Sequence, residues 1–168
     1  MKLQHVKIGF VGTGRMATAL AKGFTRELVP VKQIGGVDPS EASQQAFRSI
    51  VGDDVMLSSA ANEHLENSDV VFLAVKPQMM GEALPTLQTM GNGKTLFVSV
   101  AAGISIATYE DILGSATPII RAMPNTPAAI SQGITAIIGN PKASDTDLDL
   151  AETLLSAVGE VVRLESEG

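Results

Sequence analysis

The sequence predicts a doubly wound α/β domain, in which a mainly parallel sheet carries helices on both faces. Three observations predict it. Short apolar runs typical of buried parallel strands recur along the chain, as in DVVFLAV at residues 69–75. Segments with the apolar spacing of a helix alternate with those runs. No linker or fixed-period repeat divides the 168 residues, so we expect one domain over residues 1–168.

The predicted elements follow one another along the chain. Strands are expected at 6–11, 34–37, 55–58, 69–75 and from 95, and then in PIIRAMP, ITAIIG and EVVRLE. Helices are expected at 16–28, 41–50, 61–67, 79–90 with a break near Pro85, 106–113 and 145–158. Pro30 ends the first helix because proline cannot donate a backbone hydrogen bond. Strands that alternate with helices need crossover connections, and these produce a parallel sheet.

Composition narrows the classes of function. The chain has 12 basic and 18 acidic residues, no Trp and one Tyr, which argues against a nucleic-acid-binding protein. Its lack of cysteine excludes disulfides, thiolate metal sites and a cysteine nucleophile. No residue cluster suggests a metal site. The apolar runs are shorter than the roughly 18 residues of a membrane span, and the N-terminus lacks a signal-peptide pattern. We therefore expect a soluble, cytoplasmic protein.

The turn after the first strand carries the pattern Gly12-x-Gly14-x-x-Ala17. Gly12 permits a tight turn, Gly14 leaves room for a diphosphate, and Ala17 lets the following helix pack closely. The start of that helix offers free N–H groups and the positive end of its dipole. A turn that only connects strand to helix is the alternative. The position of the Gly12–Ala17 turn between a buried strand and a helix favours a dinucleotide site of the Rossmann type.

Asp38 follows the second strand, where such sites carry an acidic residue. A carboxylate there accepts the ribose hydroxyls of NAD and repels the 2′-phosphate of NADP. The alternative is that Asp38 only begins an Asp-Pro-Ser turn. Arg15, inside the glycine turn, can reach a phosphate. The sequence therefore leaves open whether the cofactor is NAD(H) or NADP(H).

Two polar turns follow later strands. Lys76, held extended by Pro77, presents a cation at the end of one strand. Asn125 lies between two prolines in MPNTPA, which suits it to hold a flat amide such as nicotinamide. An ordinary proline turn is the alternative for each. The two histidines, His5 and His64, are expected on the solvated surface.

Four stretches together resemble the pyrroline-5-carboxylate reductases. They are IGFVGTGRMATALAKGF, SDVVFLAVKPQ, VSVAAGIS and IIRAMPNTPA, in that family's order and with its spacing. The resemblance implies reduction of 1-pyrroline-5-carboxylate to L-proline by hydride transfer from NAD(P)H, the last step of proline biosynthesis. It names no catalytic residue in this chain.

The resemblance also implies which residues contact the cofactor. The diphosphate would be held by Gly12, Thr13, Gly14, Arg15 and Met16. The ribose and nicotinamide side would be lined by Ala74, Val75, Lys76 and Pro77. The nicotinamide would lie near Ala101, Ala102, Gly103 and Asn125, and the adenosine end near Asn62.

Some features depart from the family's pattern. Arg15 stands where Asn or Gln is frequent, and Asp38 is unusual for members that prefer NADPH. Members also continue into a helical second domain that completes the substrate pocket and forms the homo-oligomer. The sequence ends at LESEG, about where that domain should begin.

We therefore expect the cofactor-binding half alone, which binds cofactor but reduces the imine poorly or not at all. The alternatives are a 3-hydroxyacid dehydrogenase domain of the β-hydroxyisobutyrate type and a non-catalytic nucleotide-binding module.

Overall fold

The computed structural model describes residues 3–60, 63–83, 87, 95–124 and 133–165. Within them the strands are β1 Ile8–Val11, β2 Ile34–Val37, β3 Met56–Ser58, β4 Val70–Leu73, β5 Leu96–Ser99, β6 Ile119–Pro124, β7 Gly133–Gly139 and β8 Gly159–Arg163. The helices are α1 Arg15–Glu27, α2 Glu41–Val51, α3 Glu63–Glu66, α4 Pro77–Ala83, α5 Ile106–Leu113 and α6 Asp145–Leu155. None of these helices is both long and apolar enough to cross a membrane.

All eight strands form one sheet in the order β3-β2-β1-β4-β5-β6-β7-β8, which confirms the doubly wound prediction. The direction of winding reverses between β1 and β4. Neighbours from β3 to β6 are parallel, whereas β7 runs antiparallel to β6 and parallel to β8. That reversal was not predicted from the sequence. Its cause is the short connection at 125–132, because a parallel crossover needs about a dozen residues or more.

The sheet separates two apolar cores, because side chains alternate between its faces. One core joins Phe10 and Phe72 of the sheet to Phe24 of α1, with the Phe10–Phe72 ring centroids 5.4 Å apart. The other core joins Phe97 to Tyr109 of α5. Helices therefore cover both faces, as predicted.

The buried side of helix α1 combines the large residues Leu20 and Phe24 with small residues that let parts of the helix approach their neighbours closely. Ala17 and Ala21 are fully buried. A methyl group on Gly23 would lie 2.5 Å from Cγ1 of Val158, so a larger residue there would push α1 outward. The position of α1 matters because its first turn forms part of the candidate site.

Two predicted helices differ from the structure by more than one residue at a described end. Helix α4 begins at Pro77 rather than at residue 79, because proline is well suited to the first position of a helix. The remainder of that predicted helix, apart from Leu87, lies outside the described residues. The predicted helix at 145–158 is α6 followed by a 3-10 turn, Ser156–Val158.

The surface prediction for His64 is wrong. Its Nε2 lies 3.2 Å from the carbonyl oxygen of Ile8 and 3.2 Å from that of Gln33. A methyl group on Gly35 would lie 2.2 Å from the imidazole, so this glycine makes room for the ring. His64 ties α3 to the sheet, whereas His5 is exposed as predicted.

Candidate functional site

The turn from β1 to α1 lies at the point where the winding of the sheet reverses. Gly12 donates its N–H to the carbonyl of Val37 over 2.8 Å and has a φ of +95°. A methyl group on Gly12 would lie 2.9 Å from Cγ1 of Val75 and 3.0 Å from the carbonyl group of Ala74. Both the backbone conformation and the close approach of β4's end therefore require glycine here.

At Gly14, unlike at Gly12, neither the local backbone conformation nor the packing requires glycine. Its backbone is extended (φ −79°, ψ −158°), and a methyl group on it would meet nothing within 4 Å. It is the N-cap of α1, which has no side-chain cap and no acidic residue in its first turn. The first N–H groups of α1 thus lie uncapped beside open space, an arrangement that fits a phosphate group.

Asp38 fastens the glycine turn to the end of β2. Its Oδ2 accepts hydrogen bonds from the N–H of Thr13 at 2.9 Å and from the Thr13 hydroxyl at 3.2 Å. Its Oδ1 accepts from the N–H of Ser40 at 2.8 Å, which confirms the Asp-Pro-Ser turn. Thr13 is 1% exposed, so its hydroxyl serves the turn. Oδ1 retains a lone pair for a ribose hydroxyl.

A cleft of about 470 Å³ opens beside Asp38 at the ends of β1, β2 and β4. Its walls are mainly apolar, with Glu82 and Asp38 among the polar groups. The lining includes Val11, Val37, Pro39, Ala60, Val75 and Met79. A mainly apolar cleft with the Asp38 carboxylate in its lining suits a heterocycle joined to a ribose.

Positive charge gathers on the other side of the turn. A second cleft of about 470 Å³, between α1 and α2, is lined by Arg15, Lys22 and Arg26. The chain as a whole has a net charge of −6, so these cations attract an anionic ligand towards one place on an acidic surface. The side chain of Met16 is half-buried and packs against the core.

The segment after β4 lies directly beside the glycine turn. Ala74 donates its N–H to the carbonyl of Val11 over 2.8 Å. Lys76 and Pro77 are exposed, and the carbonyl of Lys76 accepts the N–H of Met79 as α4 begins. Residues 74 and 75 therefore touch the turn itself, while Lys76 and Pro77 lie further out.

The turn after β5 is the next along the same edge. Val100 donates its N–H to the carbonyl of Leu73 over 3.1 Å, which joins this turn to the end of β4. Ala101 is buried, whereas Ala102 and Gly103 are exposed. Gly103 has a φ of +78°, and a methyl group on it would meet nothing within 4 Å. The outer side of this turn is open to a ligand.

A buried hydroxyl pair lies beneath that turn and was not predicted from the sequence. Ser99 and Tyr109 are both fully buried, and their hydroxyls are hydrogen-bonded to each other. Burial raises the pKa of Tyr109 above its ordinary value of 10.0, an effect that the Ser99 hydrogen bond and the charge of Arg121 partly offset. The only signals in the sequence were one Ser inside an apolar strand and the single Tyr.

The structure thus brings the predicted residues 12–16, Asp38, 74–77 and 101–103 to one edge of the sheet. Two other predicted contacts, Asn62 and Asn125, lie outside the described residues.

Known proteins similar to this chain share both its sequence and its fold. The pyrroline-5-carboxylate reductase of Pseudomonas aeruginosa is 38% identical over 161 residues, which are 96% of this chain and 58% of that protein. The structure of a pyrroline-5-carboxylate reductase from Coxiella burnetii superposes with a TM-score of 0.90 at 31% identity, over 96% of this chain and 60% of that one. The resemblance seen in the four sequence stretches is confirmed.

A more distant structure shares the fold. The Plasmodium falciparum pyrroline carboxylate reductase, solved with NADP bound, has a TM-score of 0.82 at 23% identity and covers 97% of this chain and 59% of that one. The chain spans about three fifths of the length of the relatives it matches. Residues 7–103, more than half of the chain, match the model of one family. The chain belongs to the family described as NADP oxidoreductase, coenzyme F420-dependent.

Proposed function

We propose that the chain is the dinucleotide-binding part of a pyrroline-5-carboxylate reductase, which uses NAD(P)H to reduce 1-pyrroline-5-carboxylate to L-proline. The observation that carries the proposal is the 38% identity to the Pseudomonas aeruginosa reductase across 96% of this chain. That similarity extends well beyond the glycine turn, which many dehydrogenases have in common. It favours this reductase over a 3-hydroxyacid dehydrogenase or a non-catalytic module.

In this proposal, the glycine turn holds the diphosphate. Residues 12–16 surround the diphosphate: the backbone of residues 14–16 supplies N–H groups at the positive end of α1, and Gly14 leaves the space that the phosphates fill. The exposed guanidinium of Arg15 adds a countercharge. The apolar cleft beside Asp38 takes the adenosine, with Asn62 assigned to the same end.

The nicotinamide end belongs to the turns after β4 and β5. A dihydronicotinamide held there would supply the hydride for the imine carbon, and the proton of the amine would come from water. Residues 74–77 and 101–103, together with Asn125, orient the ring and shield one of its faces. The chain thereby contributes position rather than an acid or base, and position alone is a large part of catalysis in hydride transfer.

Two features act in opposite directions on the choice of cofactor. The Asp38 carboxylate disfavours the 2′-phosphate of NADPH by charge repulsion. Arg15 and Lys22, on the other side of the turn, favour a more negatively charged ligand. The proposal therefore covers both cofactors, and a direct comparison of their affinities decides which feature dominates.

The remaining parts of the proposal concern the whole enzyme. The single domain over 1–168 works together with a second, helical domain that completes the imine pocket and joins the subunits of a homo-oligomer. The enzyme acts in the cytoplasm on a small-molecule substrate. The second domain, the homo-oligomer and the substrate rest on the resemblance to the reductases, whereas the single domain and the cytoplasmic location rest on the sequence pattern and composition.

Calorimetric titration of the 168-residue chain with NADPH and with NADH tests cofactor binding. We expect binding of at least one of them and its loss in Gly14→Val, because the valine side chain fills the space assigned to the phosphates. The matched control is Gly81→Val, since a Cβ added at Gly81 would also meet nothing within 4 Å and the residue is exposed on α4. Equal affinity in Gly14→Val and in the wild type would contradict the proposed diphosphate site.

A chimaera tests the reaction itself. The chain is fused to the remaining part of the Pseudomonas aeruginosa reductase and offered 1-pyrroline-5-carboxylate or 3-hydroxyisobutyrate with the matching cofactor form. We expect the fusion to oxidise the reduced cofactor when the imine is present. The chain alone should turn over slowly or not at all. Turnover of the hydroxyacid instead would establish the alternative dehydrogenase.

A further inference from the structure

The turn between β5 and α5 is held at both of its ends by one pair of side chains. Ser99 is the last residue of β5, and Tyr109 lies in the first half of α5. Their hydroxyls are hydrogen-bonded to each other, and the N–H of Ala101 donates to the Ser99 Oγ at 3.3 Å. The two ends of the segment between them are therefore joined by side-chain hydroxyl hydrogen bonds as well as by backbone hydrogen bonds.

This hydroxyl pair is costly in its surroundings. Both residues are 0% exposed, and Tyr109 lies in an apolar core with Phe97, Ile106 and Leu113. Burying two hydroxyls is tolerated only when they are hydrogen-bonded, whereas apolar residues of similar shape would fill the core without that requirement. Core packing alone gives no reason for a hydroxyl at either position.

The hydroxyl pair is buried and hydrogen-bonded on the inner side of the turn, and the outer side of the turn is exposed. Ala102 and Gly103 are exposed, and the space around Gly103 is open. Arg121 pairs with Ser99 across β5 and β6, so a cation lies beside the same strand end. The turn is thus anchored on its inner side by the hydroxyl pair. Its outer side is exposed at the edge of the sheet that carries the candidate site.

We propose that Ser99 and Tyr109 are positioning residues that set the Ala101–Gly103 turn against the nicotinamide half of the dinucleotide. The proposal rests on the proposed function, because it takes the bound ligand to be a nicotinamide dinucleotide. In this proposal neither hydroxyl contacts the ligand: Ser99 acts through the N–H of Ala101, and Tyr109 acts through Ser99. The adenosine half lies on the other side of the glycine turn and does not depend on them.

That division between the two halves of the ligand gives a test. Tyr109→Phe and Ser99→Ala are compared with the wild-type chain for binding of NADPH, NADH and ADP-ribose, which lacks the nicotinamide. We expect each variant to weaken the preferred cofactor by about five- to tenfold, the equivalent of one buried hydrogen bond, and to leave ADP-ribose within about twofold. Leu113→Val is the matched control, because it perturbs the same core of α5 without removing a hydroxyl.

Amide hydrogen exchange of the cofactor-free chain provides a second measurement. We expect faster exchange at Ala101 in Ser99→Ala, which loses the acceptor of that N–H, and unchanged exchange there in Leu113→Val.

In the binding experiment, equal weakening of cofactor and ADP-ribose would assign the pair a general structural role and overturn the proposal.

Unchanged cofactor affinity in both hydroxyl variants would overturn the proposal while leaving the proposed function intact. A wild-type chain that binds ADP-ribose but gains nothing from the nicotinamide would overturn it as well. Failure of the wild type to bind any of the three ligands would instead count against the proposed function and remove the ligand on which the positioning role depends.

Discussion

The two turns that flank the end of β4 are fastened in different ways. The turn at Gly12 is fixed by close backbone approach and by the carboxylate of Asp38, which accepts three hydrogen bonds. The turn at Ala101 is fixed by neutral hydroxyls buried in an apolar core. The first depends on the absence of a side chain and on a charge near the surface, and the second on side chains that meet only in the folded core. The two should therefore fail under different perturbations.

The largest effect is expected from Gly12→Ala. The left-handed backbone alone costs about 1–2 kcal/mol for a residue with a Cβ, and the contacts near 3.0 Å with Ala74 add to that cost. We expect a large loss in the free energy of unfolding, measured by urea denaturation, together with loss of cofactor binding.

Gly14→Ala sharpens this result, because its backbone is extended and the added methyl group meets nothing. Its free energy of unfolding should stay within about 0.5 kcal/mol of the wild type. A Gly12→Ala chain as stable as Gly14→Ala would show that the close approach of β4's end does not fix the turn.

The next effect is expected from Asp38→Ala. It leaves the buried N–H and hydroxyl of Thr13 without their acceptor, which should cost about 1–3 kcal/mol of unfolding free energy. The same substitution removes the charge that repels a 2′-phosphate, so NADPH affinity should rise relative to NADH affinity. Calorimetry and urea denaturation of one preparation measure both effects.

Thr13→Val is the matched control for Asp38→Ala, because it removes one hydroxyl and keeps the charge. Its NADPH-to-NADH ratio should equal that of the wild type. A changed ratio in Thr13→Val would show that the hydrogen-bonded shape of the turn, rather than the charge of Asp38, governs cofactor choice.

The same contrast explains what could be predicted from the sequence. The alternation of strands and helices predicted the sheet. The turn at Gly12 could be predicted because a positive φ and a close backbone approach both require glycine. The reversal of β7 followed from a connection length that was present in the sequence but was not used. His64 and the Ser99–Tyr109 pair could not be foreseen, because each depends on a partner brought close by the sheet, such as the space left at Gly35.

A smaller effect is expected from alkaline pH. The pKa of Tyr109 is raised by burial, so the folded chain holds its phenolic proton more tightly than the unfolded chain. The contribution of the protonated Tyr109 to the free energy of unfolding is fully present below pH 10.0 and is lost as pH rises through the raised pKa. Between the two pKa values the free energy of unfolding should fall by up to about 1.4 kcal/mol per pH unit.

Tyr109→Phe should lack this part of the alkaline slope. Since Tyr109 is the only tyrosine and there is no Trp, ultraviolet absorbance of the phenolate reports its titration directly. Ser99→Ala should raise the pKa further, because the hydrogen bond from Ser99 lowers it. A tyrosine that titrates normally in the folded chain would contradict the buried hydroxyl pair.

The smallest effect is expected from Ser105→Ala, which removes the N-cap of α5 while leaving the hydroxyl pair intact. The Ser105 Oγ accepts the N–H of Thr108 at 3.3 Å, and loss of such a cap costs about 0.5–1 kcal/mol of unfolding free energy. Cofactor affinity should nevertheless stay within about twofold of the wild type, since the turn remains anchored through Ser99 and Tyr109. If Ser105→Ala instead weakened cofactor binding as much as Tyr109→Phe does, the stability of α5 itself would set the turn. The second turn would then depend on helix formation, and its contrast with the glycine turn would lie in secondary structure rather than in buried hydroxyls.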